Sequence, residues 1–316
     1  MASPRTPSSS GIAELVLLGV VWGATFPIAR LGVDAGANPF LLVTLDLLIA
    51  AAVTALVAGA RSASRPAFRY LGQSAGLGAL LIGGINLPLY WGLRFATGSS
   101  AAIVYATAPI ISLLVIRLIG PTVRIDWRQA LALALGLGGV VLLGVGSTSV
   151  IGIAGVGALA AFALGAVCQG TGATLVGRAR PQGEDPWGLT FQFLGAGVAS
   201  LVVLLLVARS PALPLTLPVL GSMAYVGILA MAVGYFLFFD LVHRFGAVRA
   251  NQVTFLNPVV ALLVGVLVLG ERFEPIEAVA LALILVALLL LQPTSRPRVP
   301  LHVSARKALS DAKGLS

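Results

Sequence analysis

Apolar residues run along this chain in long unbroken stretches and not at alternate positions. Uncharged runs extend from Tyr70 to Leu93, Phe95 to Ile116, Gln129 to Gly177, Trp187 to Ala208, Ser210 to Phe239, Ala250 to Gly270 and Ala278 to Ser295. A helix crosses a bilayer with about 20 predominantly apolar residues, so the runs predict membrane spans. The run from Gln129 to Gly177 suffices for two, and Gly144, Gly146, Ser147, Thr148 and Ser149 mark a turn between them. Two further spans, at 12–33 and 39–60, carry isolated charges, Asp46 among them. The expected total is ten. Hydrocarbon tolerates only helices and closed barrels, and barrel strands would alternate in polarity, so the pattern selects helices.

Charge orients these spans. Of the 20 Lys and Arg residues, 16 fall on one set of alternate connections, and only Arg30, Arg94, Arg209 and Arg272 fall on the other. By the positive-inside tendency both termini are expected in the cytoplasm. Residues 1–11 then form a short cytoplasmic segment, the first span is retained and not cleaved as a signal, and 294–316 form a disordered basic tail. Composition agrees: 58% hydrophobic and 10% charged residues cannot cover a water-soluble globule of 316 residues. The net charge of +9 reflects arginines placed singly or in small groups between apolar runs, which argues against a nucleic-acid partner. Cys168 is the only cysteine, so no intrachain disulfide or cysteine metal cluster is available, and no metal or nucleotide motif calls for a cofactor.

The two halves repeat each other weakly but in order. LGVVWGAT at 18–25 matches LGAVCQGT at 164–171, PIISLLVIRL from Pro109 matches PVVALLVGVL from Pro258, and ALALALGL from Ala130 matches AVALALIL from Ala278. The separation stays between 146 and 149 residues. Five spans per repeat, at 12–148 and 149–293, force the second repeat to enter from the opposite side. The expected fold is an all-α membrane protein of ten transmembrane helices in two inverted five-helix repeats, with a site between them that either half can expose by rocking.

With these segments in view, the chain resembles the drug/metabolite transporter superfamily, and within it the EamA-type transporters. The resemblance rests on LGVVWGATFPIARLG in the first span, SSAAIVYATAPIISLLV in the fourth, and GAVRANQVTFLNPVVALLVGVLVLGERF in the ninth with its Gly270-Glu271 pair. It covers roughly residues 12–292. It implies a secondary transporter exporting small organic metabolites across the inner membrane by alternating access, amino acids and related compounds first, drug-like or other metabolites next. Two positions depart from the family pattern. Gly120 has no glutamate after it, and Asp46 stands in the second span where an arginine is common in the family.

Polar and aromatic residues inside apolar runs are the candidates for function. Asp46 lies about 10 Å deep at 1.5 Å per residue, where a carboxylate must be paired or protonated. It is read as a proton-coupling group or as the partner of Arg30 or Arg94 in a structural ion pair. Asn86 and Tyr90 share a helix face beside Pro88, and Asn251, Gln252, Thr254 and Asn257 cluster beside Pro258. These groups are expected to line a cavity or to hydrogen-bond between helices. Trp22, Tyr105, Tyr225 and Tyr235 are candidate aromatic walls against plain packing, and Gln169 is the second repeat's counterpart of Gly23. Pro109 and Pro258 are repeat-related candidate gating hinges, and the small residues at 19–23 allow close helix approach. Glu14 reads as a solvated end residue.

Two other classes compete. GQSAG at 72–76 matches the serine-hydrolase elbow, with Asp240 and His243 on the same expected side, but the elbow needs a strand before it. A non-transporting membrane scaffold is the other. A central cavity with few fixed charges favours neutral or zwitterionic substrates, since phosphorylated ones require clustered Arg or Lys.

Overall fold

A computed structural model describes residues 9–61, 68–119, 126–146, 152–179, 186–207, 212–245, 253–254, 256–272 and 274–290, and they are almost entirely helical. Helix α1 spans Ser9–Asp34 and α2 spans Pro39–Ala60. Helix α3 begins as Phe68–Gly78, winds through a π-helical stretch Ala79–Gly83 and continues as Gly84–Gly92. Helix α4 is split into Gly98–Tyr105 and Ala108–Ile119, and α5 covers Trp127–Gly146. In the second half, α6 is Gly152–Ala179, α7 is Pro186–Val207, and α8 joins Leu217–Met223 to Gly234–Phe245 through a second π-helical stretch, Ala224–Val233. Helices α9, Leu256–Leu269, and α10, Pro275–Leu290, complete the described chain. Six of these are long and apolar enough to cross a membrane, and the apolar parts of α4, α5, α9 and α10 are shorter.

Local chemistry sets the boundaries. Asn38 caps α2, its Oδ1 accepting from the N–H groups of Phe40 and Leu41, and Pro39 supplies a first residue whose missing N–H costs nothing. Among the described residues of the run from Ser210, helix begins at Leu217, behind an extended Thr216 and with Pro218 in its first turn. Among the described residues of the run from Ala250, a 3₁₀ turn stands at 253–254 and α-helix is found from Leu256. Gly270, with φ +65°, ends α9 in the left-handed region that favours glycine.

The helices interleave across the two halves. Helix α1 packs on α8 and α9 while α6 packs on α3 and α4; α2 packs on α7 and α8 while α7 packs on α2 and α3; α5 packs on α10. Exchanging α1–α5 with α6–α10 reproduces this pattern, which is what a duplicated five-helix unit requires. The hydrogen bonds obey the same exchange. Thr44 pairs with Ser200 at 2.7 Å and Thr190 donates to Thr54 at 3.1 Å. A shift of 146 residues carries Thr44 to Thr190 and Thr54 to Ser200, so the two bonds are copies of one contact. Both stretches of π-helix occur in counterpart helices, α3 and α8. Large apolar side chains such as Leu118 and Leu267 are 82% and 78% exposed, while small residues such as Ala29, Ala50 and Ala166 are fully buried. That inversion of the soluble pattern fits a bundle whose outer face meets lipid and whose helices approach closely.

Candidate substrate cavity

Where α1, α4, α6 and α9 meet, Phe26, Ala102, Tyr105, Ala106, Gln169, Thr254 and Asn257 enclose a cavity of about 10 Å³. That is room for roughly one water. Each repeat contributes the same two helices, its first and its fourth, so the cavity sits on the relation between the halves. The wall holds a helix break on one side and a 3₁₀ turn on the other. Helix α4 is interrupted at Ala106 and Thr107, and α9 starts beside the 3₁₀ turn at 253–254. Interrupted helices leave backbone polar groups at the places where transporters hold their cargo.

Close approach brings these helices together. A Cβ on Gly23 would stand 2.8 Å from the Asn257 carbonyl oxygen, so this glycine seats α1 against α9. In the other half, Gly165 of α6 lies directly under the Tyr105 ring of α4. Tyr105 stacks edge-on against Phe26 at 5.5 Å between ring centroids, and its hydroxyl donates to the Ile85 carbonyl of α3 at 2.6 Å. Asn257 Oδ1 is buried with no hydrogen-bond partner among the described residues. The cavity thus offers two amides, two hydroxyls and an aromatic wall, and no charged side chain.

Ionic clusters join α1 to its neighbours at its two ends. Near its end, Arg30 bonds to Asp34 at 3.0 Å and its Nη1 stands 3.8 Å from Glu271 Oε1. Glu271 also accepts from the Gly98 N–H at 3.1 Å and from the Ser99 hydroxyl at 2.6 Å, satisfying a free donor at the start of α4. The turn at Gly270 makes this reach possible, because it lets the Glu271 N–H bond the Gly265 carbonyl at 2.9 Å. Next to it, Ser100 donates to Glu277, which is 1% exposed. Near the start of α1, Glu14 pairs with Arg244 of α8, which also holds Asp240 at 2.8 Å. Glu14, expected as a solvated end residue, is therefore a bridge between two helices.

Asp46 lies outside the cavity wall. It is fully buried on α2, where Tyr90 of α3 donates to Oδ2 and Oδ1 has no partner among the described residues. The alternative of an ion pair with Arg30 or Arg94 is not what the structure contains. Arg30 is held by Asp34 and Glu271, and Arg94 lies exposed over the Phe95 ring at 5.2 Å. The repeat separation of 146 places Gln192 at the position of Asp46, and Gln192 is 4% exposed with an unpartnered Nε2. That residue escaped the reading of the sequence, although the offset alone pointed to it.

Of the other candidates, Tyr105, Gln169, Thr254 and Asn257 meet in the cavity, and Phe26 joins them. Trp22 does not: its indole donates to the Ala230 carbonyl at 2.9 Å and its ring packs on Tyr235 and Phe238. Tyr225 bonds the Val21 carbonyl, and Tyr235 packs on Phe193. Asn86 turns back to the Ile82 carbonyl of its own helix at 2.8 Å, so it and Tyr90 have separate partners. Asn251 and Gln252 lie outside the described residues. Pro109 and Pro258 stand in the first turns of Ala108–Ile119 and Leu256–Leu269, where proline begins a helix and does not kink one. Ser74 of GQSAG is in mid-helix, bonded to the Tyr70 carbonyl, with no strand-to-helix elbow.

A duplicated helical bundle with a buried, uncharged polar cavity between its halves defines a membrane transporter. Residues 9–145 and 156–292 each match the EamA-like transporter family, and the chain belongs to it. It is 28% identical over 278 residues to a protein of Streptantibioticus cattleyicolor named "Probable terminal-alkyne amino-acid exporter", covering 87% of this chain and 91% of that one. It is 27% identical to the "Uncharacterized inner membrane transporter YedA" of Escherichia coli over 87% and 88% of the two chains. Protein PecM of Dickeya dadantii is also 27% identical, over 87% of this chain and 90% of that protein. A crystal structure at 22% identity shares the fold, with a TM-score of 0.63 over 90% of this chain and 98% of that chain.

Proposed function

We propose that this transporter exports small neutral or zwitterionic metabolites, amino acids and their relatives first, across the inner membrane by alternating access. The observation that carries the reading is the uncharged cavity with Gln169, Thr254, Asn257 and Tyr105 in its wall. Amides and hydroxyls supply donors and acceptors to an ammonium and a carboxylate alike, whereas a phosphorylated substrate demands guanidinium or ammonium groups. The relative named as an amino-acid exporter and the relative named as an inner-membrane transporter support the substrate class and the location. With a cavity of about 10 Å³ and ionic clusters formed at both ends of α1, the conformation is read as an occluded one. Opening toward the cytoplasm breaks Glu14–Arg244, and opening outward breaks Arg30–Glu271. Both termini and the Glu14 cluster are then cytoplasmic, as the arginine distribution favours.

The test is efflux from proteoliposomes preloaded with a labelled panel of amino acids, against empty liposomes. Saturable efflux of one member, competed by its neighbours in the panel, is the expected result. Rates at the level of protein-free liposomes for every member would remove amino-acid export.

A further inference from the structure

We propose that Asp46 and Tyr90 form a proton-binding site linked to the substrate cavity through the Gly84–Gly92 segment of α3. The proposal rests on the transport reading above for its purpose, but not for its observations. Asp46 is fully buried, its Oδ2 is held by the Tyr90 hydroxyl, and its Oδ1 is unpartnered, so that oxygen is the place where a proton is carried. An ionisable side chain inside a membrane bundle without a counter-ion is costly, and such groups mark proton paths.

No described charge neutralises it. The helices packed on α2 are α1, α3, α7 and α8. Helix α7 contains no titratable residue, and Tyr90 is the group α3 directs at the carboxyl. On α1, Arg30 bonds Asp34 through Nε at 3.0 Å and its Nη1 stands 3.8 Å from Glu271, and Glu14 is paired with Arg244. On α8, Arg244 also holds Asp240, the Tyr225 hydroxyl is bonded to Val21, and Tyr235 packs on Trp22 and Phe193. The second repeat has no such site, because the same offset puts Gln192 and Phe236 where the first has Asp46 and Tyr90. Only one half of the duplicated bundle carries the proton.

The link to the cavity is a short piece of helix. The Tyr105 ring lines the cavity and its hydroxyl bonds the Ile85 carbonyl, while Tyr90, five residues on, bonds Asp46. Between them stands Pro88, and before them the π-helical stretch Ala79–Gly83, where a helix can shift register. Substrate pressing on Tyr105 moves Gly84–Gly92 and with it the Tyr90 hydroxyl. When the bundle opens to one side, the Oδ1–H bond breaks and the proton passes to water. When it opens to the other, Oδ1 takes a proton from water.

Infrared titration of the full chain in nanodiscs tests this without any substrate. The expected result is a protonated-carboxyl band that is lost as the pH is raised across the range in which the protein stays folded. It should be absent in Asp46→Asn, displaced in Tyr90→Phe, and have its midpoint moved by roughly half a unit or more in Tyr105→Phe. If Asp46→Asn fails to fold, Asp46→Glu identifies the band by displacing it. A carboxyl that stays in one state across the range overturns the proton site. A midpoint unmoved by Tyr105→Phe overturns its link to the cavity. Either failure leaves amino-acid efflux as an independent measurement, and absence of efflux leaves the titration standing.

Discussion

At Asn257 a buried amide oxygen without a partner among the described residues faces the space where a ligand would sit, and Gln169 approaches that space from α6 of the same repeat. Each can offer one hydrogen bond to a bound molecule, typically worth about 1 kcal/mol net and more to a charged group. Asn257→Leu and Gln169→Leu are therefore each expected to weaken substrate affinity by roughly tenfold, about 1.4 kcal/mol, in the efflux assay. Thermal stability in detergent should remain unchanged for Asn257→Leu, because an apolar group replaces an amide oxygen that has no partner among the described residues. An unaltered concentration dependence in both variants would place the substrate elsewhere. These residues were legible in the sequence because an amide in an apolar run must find protein or water. For Trp22 and Tyr235, read as cavity walls or as plain packing, the structure has packing. An aromatic residue in mid-helix can equally satisfy itself on a neighbouring helix, and Trp22 does so at the Ala230 carbonyl.

Among the elements, α4 depends on others for its beginning. Its first N–H is bonded to Glu271, and Thr97 accepts from the Ser100 N–H as its cap. A Cβ on Gly98 would stand 2.7 Å from the Pro27 backbone, so α4 starts pressed against α1. Gly98→Val should lower the melting temperature by the cost of overpacking, about 1–3 kcal/mol, read by thermal unfolding in detergent. A melting curve superimposable on the wild type would mean that this crossing is looser than described. The Gly270-Glu271 pair was visible in the sequence as a family mark, yet its work was not. Only the fold brings residue 271 to residue 98. Helix existence was readable throughout, since a span is a matter of length and apolarity. Its interruptions were not, because π-helical turns and the break at Ala106–Thr107 have no composition of their own.

For the molecule as a whole, the proposed alternation has the second repeat take up the conformation of the first and the first that of the second, which the exchange symmetry of the contacts supports. In the proposed mechanism the two ionic clusters set which side opens. Glu271→Gln keeps the shape and an acceptor for the Gly98 N–H, turns the Ser99 hydroxyl from donor to acceptor opposite the new amide nitrogen, and removes the charge that faces Arg30. It should favour the conformation open at that end, seen as a several-fold faster reaction of a cysteine placed in the cavity from the corresponding side. An equal rate in the two proteins would exclude Arg30–Glu271 as a gate. The duplication was legible from matched segments, but the interleaving of the halves, with α1 seated on α8 and α9, was not, because similarity between segments carries no information about their packing.

The measurement that bears most directly on transport through this cavity is two-sided labelling of Ala106→Cys, made in a Cys168→Ser background in sealed vesicles of known orientation. Ala106 lines the cavity between the repeats. Membrane-impermeant thiol reagents are predicted to reach it from either side, and a transported amino acid should slow both reactions. Reaction from one side only, at all substrate concentrations, would contradict alternating access.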